Sequence, residues 1–577
     1  MRVVVRVTAT RLLQRLLMQR ARLANAFWVL GSTIFCFAFA IVLLSTASFA
    51  IGYPITPIVF WFGCCASILF CGIAARTLSP KLSLAQTAGL ILLFILIFAV
   101  SIALSASFYD QTYDGQIYHQ YAVDQLSLGW NPWRDKIDNI WGDSYPKAPW
   151  IDAAAINQIT HTIEAGKAFN WALMVGALSL SIGGLLTCST ISILDTLGLS
   201  VVAAFNPVAI DQSLSFYVDG QLSSLLLALV ATLGVLGADK QNQIRTSPTL
   251  VFVIVLLSNI KFTGLIYAVL ITLLFGMSLF FLSRRKETIR FGGIASLTLI
   301  FSVFVVGYNP YVTNTLTHGH PFYPLAGQAA IDIITPQQPI PLFGKNHIQQ
   351  LLISIFSRPG NYHPVQYHSH TLDLQIPFFL DETSVSVFQF PDGRIGGFGP
   401  LFNVLFVLGM LLTMLLLALR TSPKRGFILS ILILWVTVLI NPAPWWARYV
   451  PQLWLFPLLA AFFALQNISN RSVSMLARSI LLIGCVNVLI IGKVYITYNL
   501  KTSHAIQDFM TQIRHDRPSL LLLKQDSFGW YAPLVRLREQ GIHYQVIDSA
   551  LPCANPGLIP YSGITYCSSF EERQPAR

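Results

Sequence analysis

An α-helical, multi-pass membrane fold with a small C-terminal α/β domain is what three features of the sequence predict. Of the 577 residues, 54% are hydrophobic and only 11% charged, which leaves too few polar groups to clothe a soluble globule of this size. The apolar residues fall in runs of about 20, the length needed to cross ~30 Å of hydrocarbon. The 37 Lys and Arg outnumber the 25 Asp and Glu and gather in short clusters on alternate connections, as cytoplasmic loops do. That placement excludes nucleic acid as a partner, because basic residues scattered between spans form no stripe on a polar domain.

Residues 1–25 carry Arg2, Arg6, Arg11, Arg15, Arg20 and Arg22, and no acidic residue precedes Asp110. With Leu12, Leu13, Leu16 and Leu17 on one face, they predict a cytoplasmic leader lying on anionic lipid headgroups. No cleavable pattern follows it. The body, 26–497, reads as about thirteen spans, near 26–49, 55–75, 84–107, 167–189, 194–211, 217–238, 248–262, 264–283, 291–309, 399–419, 426–441, 450–466 and 479–497. Arg76 and Lys81, Lys240 and Arg245, Arg284 to Lys286, Arg420 to Arg425, and Arg471 with Arg478 then share one side, the inner one. The amino terminus is expected inside; segments 108–165 and 309–398 and the tail 498–577 are expected outside. In the tail an amphipathic stretch (504–517), a strand-like run (519–523), a helix-like stretch (530–540) and a second strand (543–547) predict the α/β domain. Cys553 and Cys567 lie in this tail, where an oxidising space favours a disulfide. Cys36, Cys64, Cys65, Cys71, Cys188 and Cys485 fall in apolar runs, as small buried hydrophobes do.

Polar chemistry gathers at the outer ends of the spans. Asn131-Pro132, Asn206-Pro207, Asn309-Pro310 and Asn441-Pro442 stop helices and start turns, or open backbone to a shared cavity. The run before Asn259 and Lys261 is too short to span, which places Lys261 at the interface, as a snorkelling side chain or a functional cation. Asp211 and Asp219 flank a junction of two spans and read as solvated helix caps or as site residues. The richest stretch is Tyr109-Asp110 through Asp114-Gly115, Tyr118-His119 and Tyr121 to Trp133. Gln116–Leu126 suits a helix, with Asp114 near its amino end and Tyr118 and His119 one turn on. A carboxylate just beyond a span, followed by aromatics, suits a site that deprotonates a hydroxyl and stacks a sugar ring; an N-capping Asp within a membrane aromatic belt is the alternative.

These residues, with Tyr308–Tyr311 and His318–Pro324, resemble the GT-C superfamily of integral membrane glycosyltransferases, and within it the bacterial dolichyl-phosphate-mannose/aminoarabinose transferases. The likeness covers roughly 100–465, and implies transfer of a sugar from a polyprenyl-phosphate donor to an outward-facing hydroxyl of a glycan, lipid or protein, with inversion, at a bacterial inner membrane with a periplasmic tail. It implies a loop Asp as the base, here Asp110 or Asp114. Partners for the lipid phosphate are Arg448, beside Tyr449 in a Trp-rich turn, and then Lys261 and His320. Tyr118, His119 and Asp219 complete the expected substrate contacts. The resemblance leaves room for a divalent metal, although no His/carboxylate cluster at ligand spacing calls for one. His347, His363, His368 and His370 are too irregularly spaced for a metal site and read as part of a covering loop. Two rival readings stand beside this one. An O-antigen ligase or polymerase would pair arginines in a large outer loop, whereas Arg358 and Arg394 are isolated in sequence. A transporter of lipid-linked glycan would bury charges in mid-span, whereas these spans are nearly free of charge.

Overall fold

The computed structural model describes residues 2–569 apart from 79, 239–242, 362–371, 419–423, 469, 517 and 527–528, with side chains described from residue 17 and omitted at 243–245 and 424. It is a mostly helical multi-pass membrane protein. Among the described residues eight helices are long and apolar enough to cross a bilayer, by length and composition, including Leu17–Ile51, Ile163–Cys188, Asp219–Ala238 and Phe262–Phe281. The expectation of about thirteen spans goes beyond these eight. Segments expected near 194–211, 399–419, 426–441 and 450–466 form helices of 12, 17, 16 and 13 residues, roughly 18–26 Å long at 1.5 Å per residue and short of ~30 Å of hydrocarbon. The segment expected at 248–262 is likewise short, Thr246–Ile260 in its apolar part. These helices end at helix breaks or connections, and several keep exposed apolar faces, as at Leu194, Met414 and Leu432.

The leader is not a separate element. One helix runs from Arg2 to Ile51, and Arg20, instead of resting on headgroups, donates to the carbonyls of Leu186, Ser189 and Ile191 at 2.9–3.3 Å. It thereby satisfies the open carboxyl end of the helix Ala168–Cys188. The two helices lie in close contact along small residues. A Cβ on Gly183 would stand 2.8 Å from Trp28 N and 2.9 Å from Ala24 O, and one on Gly31 would stand 2.7 Å from Gly176 O. Phe37 packs nearby against Phe60, Phe94, Phe98 and Phe169, with ring centroids 4.6–5.8 Å apart. Without a hydrophobic gradient inside lipid, such close packing is what holds spans together.

The tail begins inside a single helix, Arg471–Asp516, so no break separates the membrane body from the domain at 498. A four-stranded sheet follows: β1 (Leu520–Gln525), β2 (Tyr544–Val546), β3 (Gly557–Leu558) and β4 (Ile564–Ser569), in the order β2-β1-β4-β3. β1 and β2 are parallel, joined through the helix Ala532–Glu539, and β4 is antiparallel to β1. Leu521, Leu523, Leu537 and Ile564 close its core against Ile506, Met510 and Ile513 of the long helix. Cys553 and Cys567 form the expected disulfide.

Gly183→Val is expected to cost about 1–3 kcal/mol or more through overpacking and to lower the thermal midpoint in detergent. Gly72→Ala, where an added Cβ meets nothing within 4 Å, should leave that midpoint unchanged.

Candidate functional site

Four Asn-Pro pairs break the helices, and at each the Asn side chain donates to a carbonyl elsewhere in the chain. Asn206 Oδ1 accepts from Val208 N (2.9 Å) while Nδ2 reaches Pro451 O (2.8 Å). Asn441 repeats the device, with Oδ1 on Ala443 N and Nδ2 on Tyr449 O (3.1 Å) and Tyr267 Oη (2.9 Å). Asn131 bridges Trp133 N to Phe49 O, and Asn309 Nδ2 reaches Pro132 O (2.8 Å). The Asn-Pro pairs therefore stop helices, the first of the two readings, and tie the broken ends to one another; none of them lines the cleft beside Lys261. A fifth break, at Lys261, lies between helices ending at Ile260 and starting at Phe262. Gly264 permits the restart, since a Cβ there would stand 2.1 Å from Leu257 O.

The break at Lys261 borders a cleft of about 30 Å³, room for roughly two waters. Six of the residues singled out in the sequence line it: Asp114, Tyr118, His119, Asp219, Lys261 and Arg448. Tyr449 flanks it, its ring 4.2 Å below Lys261 Nζ. Lys261 does not snorkel; Nζ is 2.7 Å from Asp219 Oδ1, and Asp219, 2% exposed, is no solvated cap. Arg448 lies over Tyr217 and Trp446, at 4.8 and 4.6 Å, and faces Asp392, Asp114 and Asp219 at 3.4, 3.8 and 3.9 Å.

The two candidate bases separate. Asp114 makes no capping bond to the turn that follows it, which corrects the N-cap alternative. Burial is the main influence on its carboxyl and pushes it up to about 6, against the pull of Arg448 and Lys261 and with the push of Asp392 and Asp219. Asp110 is fully buried and outside the cleft, its oxygens taken by Thr112 N (2.8 Å) and Phe216 N (2.7 Å). It ties the segment to the bundle and is not placed to meet a substrate.

The expected helix from Gln116 opens instead on a π-helical turn, Gly115–His119, before Gln120–Ser127. Such a turn inserts a residue and re-aims side chains, and here neighbouring Tyr118 and His119 both line the cleft. Gly115 permits it, because a Cβ would stand 2.0 Å from Asp110 Oδ2. Trp150 Nε1 donates to His119 Nδ1 at 2.7 Å, which places the imidazole proton on Nε2. Burial lowers the histidine to about 3, so it acts as a neutral donor and not as a proton shuttle.

Other candidates fall elsewhere. His320 is not part of the cleft lining; its Nδ1 accepts from Phe322 N at 3.1 Å within its own loop. Asp211 is buried at the last residue of its short helix, outside the cleft, and is no solvated cap. His347 Nδ1 lies 3.0 Å from Leu439 O, while His363, His368 and His370 lie outside the described residues. Among the described residues no group of three His, Cys, Asp or Glu is placed to hold a metal ion.

The structure adds residues that the sequence did not single out. Tyr145, Trp150 and Tyr217 complete an aromatic wall; their signal was only their position beside Pro146, Pro149 and Asp219. Asp392 and Arg394 arrive from segment 309–398. Arg394 lies 3.3 Å from Asp392 Oδ2 and 5.3 Å from the Trp446 ring, so two arginines distant in sequence share one carboxylate. Spacing carries no trace of that meeting. Compared with known proteins, the chain matches no family model and no curated sequence.

Water-soluble carbodiimide attacks the protonated carboxyl, so modification of Asp114, read by peptide mass spectrometry, should fall as pH rises through about 6. Arg448→Gln removes the largest influence that lowers this carboxyl, and its midpoint should move upward.

Proposed function

We propose that the protein is a membrane glycosyltransferase moving a sugar from a polyprenyl-phosphate donor to an acceptor hydroxyl, with Asp114 as general base. One observation carries the reading: a carboxylate free of capping bonds stands 3.8 Å from a guanidinium inside an aromatic-walled cleft. Asp114 takes the proton of the acceptor hydroxyl, whose oxygen attacks the anomeric carbon from the face opposite the phosphate. The carbon–oxygen bond to the phosphate breaks, giving inversion. The departing lipid phosphate keeps the bonding electrons and is met by Arg448, with Lys261 behind it. Guanidinium suits phosphate because its planar fork matches two oxygens. Tyr118, Tyr145, Trp150 and Tyr217 offer ring faces to the sugar, and His119 Nε2 a hydrogen-bond donor. The resemblance of 114–119 and 308–324 to the GT-C superfamily supports this reading.

The positive-inside pattern supports a cytoplasmic amino terminus, with the short helices completing about thirteen passes. The cleft and tail then face the periplasm of a bacterial inner membrane. A disulfide in the tail fits an oxidising space. The cleft holds only about two waters, so admission of a sugar requires it to widen. The acceptor is a glycan, lipid or protein hydroxyl presented at that face.

The second reading is a ligase or polymerase using a diphosphate-linked oligosaccharide, and the meeting of Arg394 with Arg448 on Asp392 favours it. Two guanidiniums released from one carboxylate can hold two phosphoryl groups.

Transfer by Asp114→Asn, followed by mass spectrometry of envelope glycans at equal protein levels, should fall by about 10²–10⁴-fold; full activity would move the base elsewhere. Wild-type transfer should decline as pH drops through about 6, because the base is lost when Asp114 binds its proton. Arg394→Ala separates the two readings: it should slow a diphosphate donor strongly and a monophosphate donor little.

A further inference from the structure

The tail domain holds the segment that carries Asp114 at both of its ends. Arg536, 3% exposed, donates through Nη2 to the Asp110 carbonyl (2.6 Å) and through Nη1 to Gln116 Oε1 (3.4 Å). One guanidinium thus grips the chain four residues before Asp114 and two residues after it. Its charge is met by Glu164 Oε1 at 2.6 and 2.9 Å. Glu164 in turn pairs with Lys167 (2.5 Å) and accepts from Asp110 N (3.1 Å). Around this core, Tyr531 N donates to the Gln116 carbonyl (3.0 Å) and Gln116 Nε2 to the Tyr561 carbonyl (3.1 Å). Farther along, Tyr531 Oη donates to Asp124 Oδ2 at 2.6 Å and Arg538 pairs with Asp124. Glu539 Oε1 accepts from Ile163 N (2.6 Å) where the segment re-enters the bundle.

A domain that served only to bind an acceptor would not need to spend a buried arginine on the backbone of the catalytic loop. Each of these contacts falls on residues 108–124 or 163–167, and the Arg536 side chain touches both sides of the π-helical turn's entry. From this geometry we infer that the tail domain is a clamp and Arg536 a positioning residue, holding the loop so that Asp114 stays at its distance from Arg448. The inference rests on Asp114 as base only for its catalytic consequence; the clamp itself is a statement about the loop.

The test uses the full chain in detergent and needs no sugar. Hydrogen exchange of amides 109–120 in Arg536→Gln is expected to quicken by about tenfold or more, with amides of the helices Leu84–Ala106 and Ala168–Cys188 unchanged. In the same variant the carbodiimide midpoint of Asp114 should shift, because the burial that raises that carboxyl and the Arg448 guanidinium that lowers it both depend on where the loop lies. Arg536→Lys, which keeps the charge but loses the fork, should show a smaller change in both. Gln116→Leu leaves the Arg536–Glu164 pair intact and should give the same local quickening to a lesser degree, which covers the case in which Arg536→Gln fails to fold. Unchanged exchange at 109–120, or a rise spread equally over the spans with no shift of the Asp114 midpoint, overturns the inference. If exchange and midpoint move as expected while Asp114→Asn still transfers sugar, the clamp stands and the proposed base does not.

Discussion

Backbone that leaves the helix inside an apolar bundle exposes N–H and C=O groups that no lipid can satisfy, each at a cost of several kcal/mol. The site end of this protein is organised by how that cost is avoided. Each Asn-Pro break brings its own amide: at Asn131, Asn206 and Asn441 the side-chain oxygen closes the local turn, and in all four the nitrogen crosses to a carbonyl of another segment. Repair and cross-linking are therefore one act. The breaks at Lys261 and at Arg448 are held in register by it, because Asn441 and Tyr267 both bond around the Tyr449 carbonyl.

Once the breaks are fixed, their charged residues have little choice of partner. Asp219 opens the helix Asp219–Ala238, Lys261 precedes the helix Phe262–Phe281, and the two meet at 2.7 Å; Arg448 then faces Asp114, Asp219 and Asp392. Buried pairs of this kind add little net stability over apolar packing, but loss of one partner strands the other at about 3–5 kcal/mol. Their value lies in uniqueness of arrangement. Asp219 is committed to Lys261, and Asp110 to backbone N–H groups. Of these three, Asp114 has the loosest ties, and burial has raised its proton affinity toward neutrality.

The long helix Arg471–Asp516 connects membrane body and tail without a flexible joint, and the tail's own core is built partly on it. The tail can therefore act on the loop 108–124 from a fixed platform. Arg536, Glu164 and Lys167 form a buried charge chain that closes only when tail, loop and bundle are all in place, so that the cleft is assembled by three parts of the chain remote from one another in sequence.

The membrane class, the positions of the helices, the α/β tail and its disulfide were legible in the sequence, because run length, charge placement and alternation are local properties. So were Asp114, Tyr118, His119, Asp219, Lys261 and Arg448 as a set, since each sits beside a helix break, where polar residues in a membrane chain have reason to be. The number of helices long enough to cross was not, because helix breaks and connections, only some of them at proline, shorten five apolar runs that composition alone reads as spans. Nor could sequence separate Asp110 from Asp114: both are loop carboxylates four residues apart, and only folding decides which meets backbone N–H groups and which meets a guanidinium. Asp392, Arg394 and Arg536 reach the site region by long-range packing, for which spacing holds no signal. By itself the sequence determined what kind of protein this is and where its polar residues cluster; the tertiary structure decided which of them share a cleft, because that depends on how the broken helix ends are tied together.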